Sequence, residues 1–190
     1  MKSLFKPPSQ EVYTDMKPRF TKPVILLHPN IPKPLHGMSP RALKGGEWWD
    51  KERQKAYAKN NYCCWACGIH KSKAKYHNWL EAHECYEYNY PRGTAKMIMI
   101  TALCHSCHNS IHSGRMQMMV NAGEMAEEKF VDILAHGLSI RTQIPQETKN
   151  PFIVNDGISA EWGEWRLILD GKEYKSKFQD RNEWLQFYSK

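Results

Sequence analysis

Leu103-Cys-His-Ser-Cys-His-Asn-Ser-Ile-His112 sets a C-x2-C pair, Cys104 and Cys107, directly against two histidines, His108 and His112, spaced i, i+4. That spacing puts both imidazoles on one face of a helical turn, a ready half-site for a divalent cation. A matching pair, Cys64-Trp-Ala-Cys67, lies upstream. Each C-x2-C turn holds two thiolates close together, and two such turns meeting give the tetrahedral sulfur site that Zn2+ prefers. Cys67 and Cys104 are separated by 36 residues, more than the roughly 15 to 20 of a simple zinc ribbon, so a further element is expected between them.

That element reads as a hairpin. Trp79-Leu-Glu-Ala-His-Glu84 supplies a first strand, Asn89-Tyr-Pro-Arg-Gly93 carries turn chemistry, and Lys96 to Leu103 forms a second strand that runs into Cys104. A helical turn is expected from His105 to Ser113. Upstream, Glu47 to Lys59 reads as a helix with Trp49, Ala56 and Tyr57 on one side and a stripe of Lys51, Lys55 and Lys59 on another. Downstream, Glu124 to His136 reads as a second helix with an apolar stripe of Ala126, Phe130, Ile133 and Leu134, ended by Gly137. The chain closes with Trp165 to Leu169, an Asp170-Gly171 hairpin turn, Lys172 to Phe178, and a helix capped by Asp180 with Trp184, Leu185 and Tyr188 turned inward.

Eight of the eleven prolines fall in the first 40 residues. Proline removes donors and forbids helix, so this segment is expected to be an extended arm that wraps the surface or lies on a ligand without forming core. The fold class is therefore α+β: a β-hairpin plus helix stapled by two cysteine knuckles, with an arm over 1–46, a central domain over 47–140 and a hairpin-helix accessory unit over 141–190.

At 190 residues and 41% hydrophobic content, one compact domain with appendages is expected. Mean hydropathy is −0.69. No apolar run approaches the roughly 20 residues that cross a bilayer, so the chain reads as soluble, unexported and cytoplasmic, with no membrane partner. Reducing cytosol favours metal ligation over disulfides for the cysteines. The net charge of +7 is uneven. Lys and Arg outnumber Asp and Glu by 12 to 5 in residues 1–60 and by 6 to 3 in 61–120, and trail them 9 to 12 in 121–190. A basic first half beside a metal site suits a polyanion, because each neutralised phosphate releases counterions.

A histidine closing the first strand, followed by C-x2-C-H-x3-H opening the helix, resembles the HNH endonucleases, the ββα-metal or His-Me finger nucleases. Leu80-Glu-Ala-His-Glu84 is similar to their first-strand motif and Leu103 to His112 to their helix motif. The lead-in helix with its Trp-Trp pair and Cys64-x2-Cys67-Gly68 looks like that of zinc-containing members, of bacterial or phage kind. The resemblance covers about residues 47 to 115. It implies a metal-dependent DNA endonuclease with a structural zinc on Cys64, Cys67, Cys104 and Cys107. It further implies a catalytic divalent cation, Mg2+, Mn2+, Ni2+ or Zn2+, at His83, His108 and His112, and DNA as partner. The oligomeric state stays open, a dimer included.

His83 admits two registers. In the first it is the general base, with Ala82 leaving a ligand position empty and Glu81 or Glu84 assisting the metal. In the second it is a metal ligand and Glu84 is the base. Strand alternation puts Glu81 on the face of His83, where it offers an orienting carboxylate. A histidine near about 6.5 is a better base at neutral pH than a carboxylate near about 4.3, which favours the first register while both stand. The family's middle asparagine has two candidates, Asn89 and Asn109. The alternative reading is a zinc-stabilised DNA-binding module whose nuclease centre is decayed or regulatory; a zinc-stabilised interaction protein is a third. Cys63 and Cys85 read as buried apolar residues, and His70, His77 and His105 as loop or surface residues.

Overall fold

The hairpin between the knuckles is the centre of the architecture. In the computed structural model, which describes residues 16–189, β1 (Glu81–Asn89) and β2 (Thr94–Leu103) pair antiparallel from Glu81 against Leu103 to Asn89 against Thr94. Gly93 closes the turn at φ 58°. The first strand starts two residues later and ends five residues later than the span Trp79–Glu84 suggested. Its Tyr86 and Tyr88 are buried and extend the pairing that the sequence pattern cut short.

Three later strands join the same sheet, in the order β3-β1-β2-β4-β5. β3 (Ile153–Asn155) lies parallel to β1 but reaches only Tyr88 and Asn89, so the outer edge of β1 is free of a strand over its first half. β4 (Arg166–Leu169) runs parallel to β2, and β5 (Lys172–Lys175) folds back on β4. Asp170 and Gly171, at φ 49° and 78°, make the two-residue turn that the Asp-Gly pair predicts.

Helices surround the sheet, led in by a short one. α1 (Pro40–Lys44) is capped by the Ser39 hydroxyl, and α2 (Gly46–Lys59) buries Ala56 and Tyr57 while Lys51, Lys55 and Lys59 stay exposed. α3 (His105–Ile111) starts from Cys104 and ends at His112, where the backbone breaks before α4 (Ser113–Asn121), a helix the sequence pattern did not reveal. α5 (Glu127–Arg141) runs straight through Gly137 and does not stop there. The glycine serves packing instead: a Cβ at that position would collide with the Ser110 side chain of α3. α6 (Arg181–Tyr188) has the Asp180 cap, but Leu185 and Tyr188 are 40% and 49% exposed, so only Trp184 leans inward, donating to His36 Nδ1 at 3.2 Å.

The proline-rich arm departs from expectation. Residues 1–15 lie outside the described residues; from Met16 onward the segment wraps the surface and also feeds the core. Ile25 and Leu26 enter the cluster around Trp65, Leu103 and Ile111, while Leu35 and Met38 enter the one around Tyr86, Trp165 and Leu167. Proline prevents a regular ladder, so the backbone groups are met one by one. Lys22 N–H donates to Trp65 O at 2.7 Å, and the Arg19 and Phe20 N–H groups donate to the buried Asn60 carboxamide at 2.8 and 3.1 Å. Among the described residues no helix is long and apolar enough to cross a membrane.

Candidate metal centres

The ββα-like arrangement brings two donor clusters to α3, one at its first turn and one at its last. At the first turn the sulfurs of Cys64, Cys67, Cys104 and Cys107 all lie within 4.8 Å of one another, and none is in a disulfide. The first knuckle is docked there by Trp65, whose N–H donates to Ala102 O at 2.8 Å and whose indole donates to Ala56 O at 3.1 Å. A tetrahedron with Zn–S bonds of about 2.3 Å has S–S edges of about 3.8 Å. The Cys67–Cys104 separation is 3.8 Å. Burial opposes ionisation of Cys64, yet hydrogen bonds from Cys104, Cys107 and Cys67 carry it well below the ordinary thiol range, and giving its proton to Cys104, Cys64 and Cys67 pushes Cys107 well above it. The donor set and its spacing fit Zn2+, which would let the thiolates coexist. His136 of α5 stands 3.3 Å from Cys107 Sγ as an outer partner.

At the last turn His83, His108 and His112 offer ring nitrogens within 4.8 Å of one another. His83 comes from the buried face of β1; His108 and His112 come from the last turn and the C-cap of α3, their rings 4.8 Å apart. These are the three histidines that the motif predicts, and the fold brings them together. Their donor set fits a divalent cation of the softer kind, since imidazole suits Zn2+ and Ni2+ better than it suits Mg2+.

Glu81 has a different role from the one strand alternation suggested. Its carboxylate accepts from His108 Nδ1 at 2.5 Å and from His105 Nδ1 at 2.7 Å, and it makes no bond to His83. Burial works to raise Glu81, but these two hydrogen bonds hold it down to about 2. The carboxylate thus fixes His108 with Nδ1 turned away from the cluster and Nε2 free, the usual arrangement behind a metal-bound histidine. His105, expected at the surface, is largely buried, and Asn109 braces it by donating to its carbonyl at 3.0 Å. Of the two asparagine candidates, Asn109 is therefore tied into this network, while Asn89 accepts from Arg92 N–H in the hairpin turn. His77 also approaches Glu81 and His105 within 4.8 Å, but both carboxylate oxygens already serve the two imidazoles. His70 is buried too, where it accepts from Ser72 N–H.

The imidazole cluster opens onto a cavity of about 690 Å3, lined among others by His28, His83, Glu84, His112 and Arg115. Glu84 reaches it from the opposite strand face because the edge of β1 is open there. The electrostatics move both sides of the comparison made from ordinary values. Burial, then the neighbouring charges of His28, His108 and His112, push His83 well below the usual imidazole range. Burial raises Glu84 above the usual carboxylate range. His112 is lowered to about 4 by burial, His108 and Arg115.

One functional-site residue had no place in the sequence reading. His28, on the proline-rich arm, is 6% exposed and packs edge-on against His83 with ring centroids 4.8 Å apart. It is lowered to about 4 by burial and by His112. The only sequence signal was its position among prolines, which makes an ordered arm rather than a loose one. Cys85, beside it, is fully buried and pushed up to about 12 by burial, as expected of an inert thiol.

Comparison of the chain with protein-family models, with curated proteins and with solved structures finds no match.

Proposed function

We propose that this chain is a metal-dependent DNA endonuclease of HNH type that hydrolyses phosphodiester bonds. The observation that carries the reading is the convergence of His83, His108 and His112 at the mouth of a cavity, beside a closed four-cysteine site on the same helix. Structural metal sites are closed and catalytic ones keep an open position, and the two clusters divide in that way. The basic first half of the chain suits a polyanionic substrate.

In this reading His83, His108 and His112 hold the cation, which would supply positive charge to a crowded phosphate and a departing oxygen. Glu81 orients His108. Glu84, raised by burial and facing the cavity, accepts the proton of the attacking water. That is the second register, and it is preferred because burial makes the carboxylate a better base and the imidazole a worse one than their ordinary values suggest. Arg115 on the cavity wall meets the substrate phosphate.

Supercoiled plasmid incubated with the zinc-loaded chain and one added cation tests this. Nicking is expected with Ni2+, Mn2+ or Zn2+ more strongly than with Mg2+, and His108→Ala and His112→Ala should each lose at least about a hundredfold with the fold intact. Undiminished cleavage by both variants overturns the site; salt-sensitive DNA binding without cutting under any cation makes the chain a binding module instead.

A further inference from the structure

The cavity beside the histidine cluster has more wall than hydrolysis needs. His83, Glu84 and His112 occupy one part of it; the remainder is largely apolar and aromatic, with Leu35 and Met38 from the arm, Tyr86 and Tyr88 from β1, Met118 from α4 and Tyr188 from α6. Two of these keep much of their surface in solvent, Met118 at 65% and Tyr188 at 49% exposed. Its charged lining residues are Lys33 and Arg115 against Glu84 alone, so the lining carries a positive excess. A volume of about 690 Å3 is that of a sphere about 11 Å across, which accepts one nucleotide and excludes a duplex whose major groove alone is about 12 Å wide.

We propose that this cavity receives one unstacked nucleobase of the strand being cut, so that the substrate is a single strand or a nucleotide outside base pairing. The proposal rests on the nuclease reading and names its substrate class. A phosphate held at the histidine cluster stands against the wall formed by His83 and His112, and the nucleoside esterified to it has the cavity as its neighbouring concave surface. A nucleobase offers a flat π face to tyrosine and methionine whatever its identity, and the flanking phosphates answer Lys33 and Arg115. A purely apolar ligand would meet the walls but leave both cations unanswered. A paired duplex would meet the cations but keep its nucleobases stacked away from the walls. Taking a nucleobase out of a duplex costs unpairing and unstacking, and that cost is least where the strand is already single.

Three end-labelled substrates test this on the full zinc-loaded chain with added Mn2+ or Ni2+. They are a mixed-sequence single strand, the same strand annealed to its complement, and a strand of tetrahydrofuran residues that keeps the phosphates but has no nucleobase. The single strand should be cut at least about tenfold faster than either of the others. Tyr188→Ala should slow the single strand by about 5- to 150-fold, the range that loss of a stacking side chain costs, and leave the base-free strand at the wild-type rate. Tyr188→Phe keeps the ring and should match wild type on all three. A duplex or a base-free strand cut as fast as the single strand overturns the proposal. So does a Tyr188→Ala chain that loses nothing, or loses equally on the single and base-free strands. If no strand is cut under any cation, the nuclease reading falls by itself, and the ranking is read from affinities by fluorescence anisotropy. Tighter binding of the single strand than of the base-free strand, lost in Tyr188→Ala, then upholds the nucleobase pocket, and equal affinities overturn it.

Discussion

The sulfur cluster and the imidazole cluster draw on one stretch of helix, Cys104 to His112, yet they are built in opposite ways. Every sulfur ligand comes from a tight C-x2-C turn, and four thiolates fill a tetrahedral set with no position left over. The imidazole ligands come from a strand, a helix and a helix cap; their partners come from farther still, and one wall is open. A site whose four positions are all taken by the protein holds the chain together, while a site with an open position can exchange ligands and do chemistry. The difference also predicts which losses the molecule survives.

Removal of zinc is the largest of these. With the four-cysteine site binding its metal by on the order of 10 kcal/mol, comparable to a typical domain's whole stability, chelation or Cys64→Ser should abolish cooperative unfolding and the near-ultraviolet dichroism of the packed tryptophans. A chain that stays folded without metal would break the division of labour between the two clusters. Glu84→Gln comes next. Loss of the proton acceptor should lower the rate of cation-dependent nicking by about 10²–10⁴-fold with cation affinity and melting temperature unchanged. A Glu84→Gln enzyme as fast as wild type would return the base to His83.

Acid should act on the imidazole side. His28 and His112 bind protons near 6.5 in the unfolded chain but only near about 4 in the folded one, because burial and neighbouring imidazoles oppose their charge. Between those values the unfolded state binds more protons, so stability falls as pH drops from about 6.5 to about 4 and levels off below. Each group accounts for on the order of 3 kcal/mol of that fall. Thiolate protonation also frees zinc at low pH, so the measurement is a difference: His112→Gln should flatten the slope of unfolding free energy against pH in that window. An unchanged slope would mean that His112 is not held neutral by its cluster.

The two clusters were unequally legible in the sequence. Cysteine ligands declare themselves because a C-x2-C turn is local, and the i, i+4 spacing of His108 and His112 is local too. The hairpin followed from its turn and its apolar strand. What the sequence pattern could not carry were contacts fixed only by packing. His28 meets His83 across 55 positions, and Glu81 meets His108 across 27. The choice of base turned on a related point: ordinary pKa values describe solvated groups, whereas burial lowers His83 and raises Glu84. Gly137 misled because a glycine that ends a helix and one that lets two helices touch look alike in one sequence.

That last position offers the smallest and most selective probe of the comparison. A methyl group at Gly137 must displace Ser110 or push α5 away from α3, and α5 is the freer partner, since among its residues only Ile133, Gly137 and Ile140 are buried. Gly137→Ala should therefore cost about 1–3 kcal/mol, read as a fall in melting temperature of about 2–4 °C per kcal/mol. The displaced helix carries His136 away from Cys107, so zinc should leave faster to a competing chelator. His83, Glu81 and His28 are held from the sheet and the arm, so cation affinity at the histidines should stay near wild type. Equal damage to both affinities would mean that α3 moves as one body and that the two sites are coupled through it.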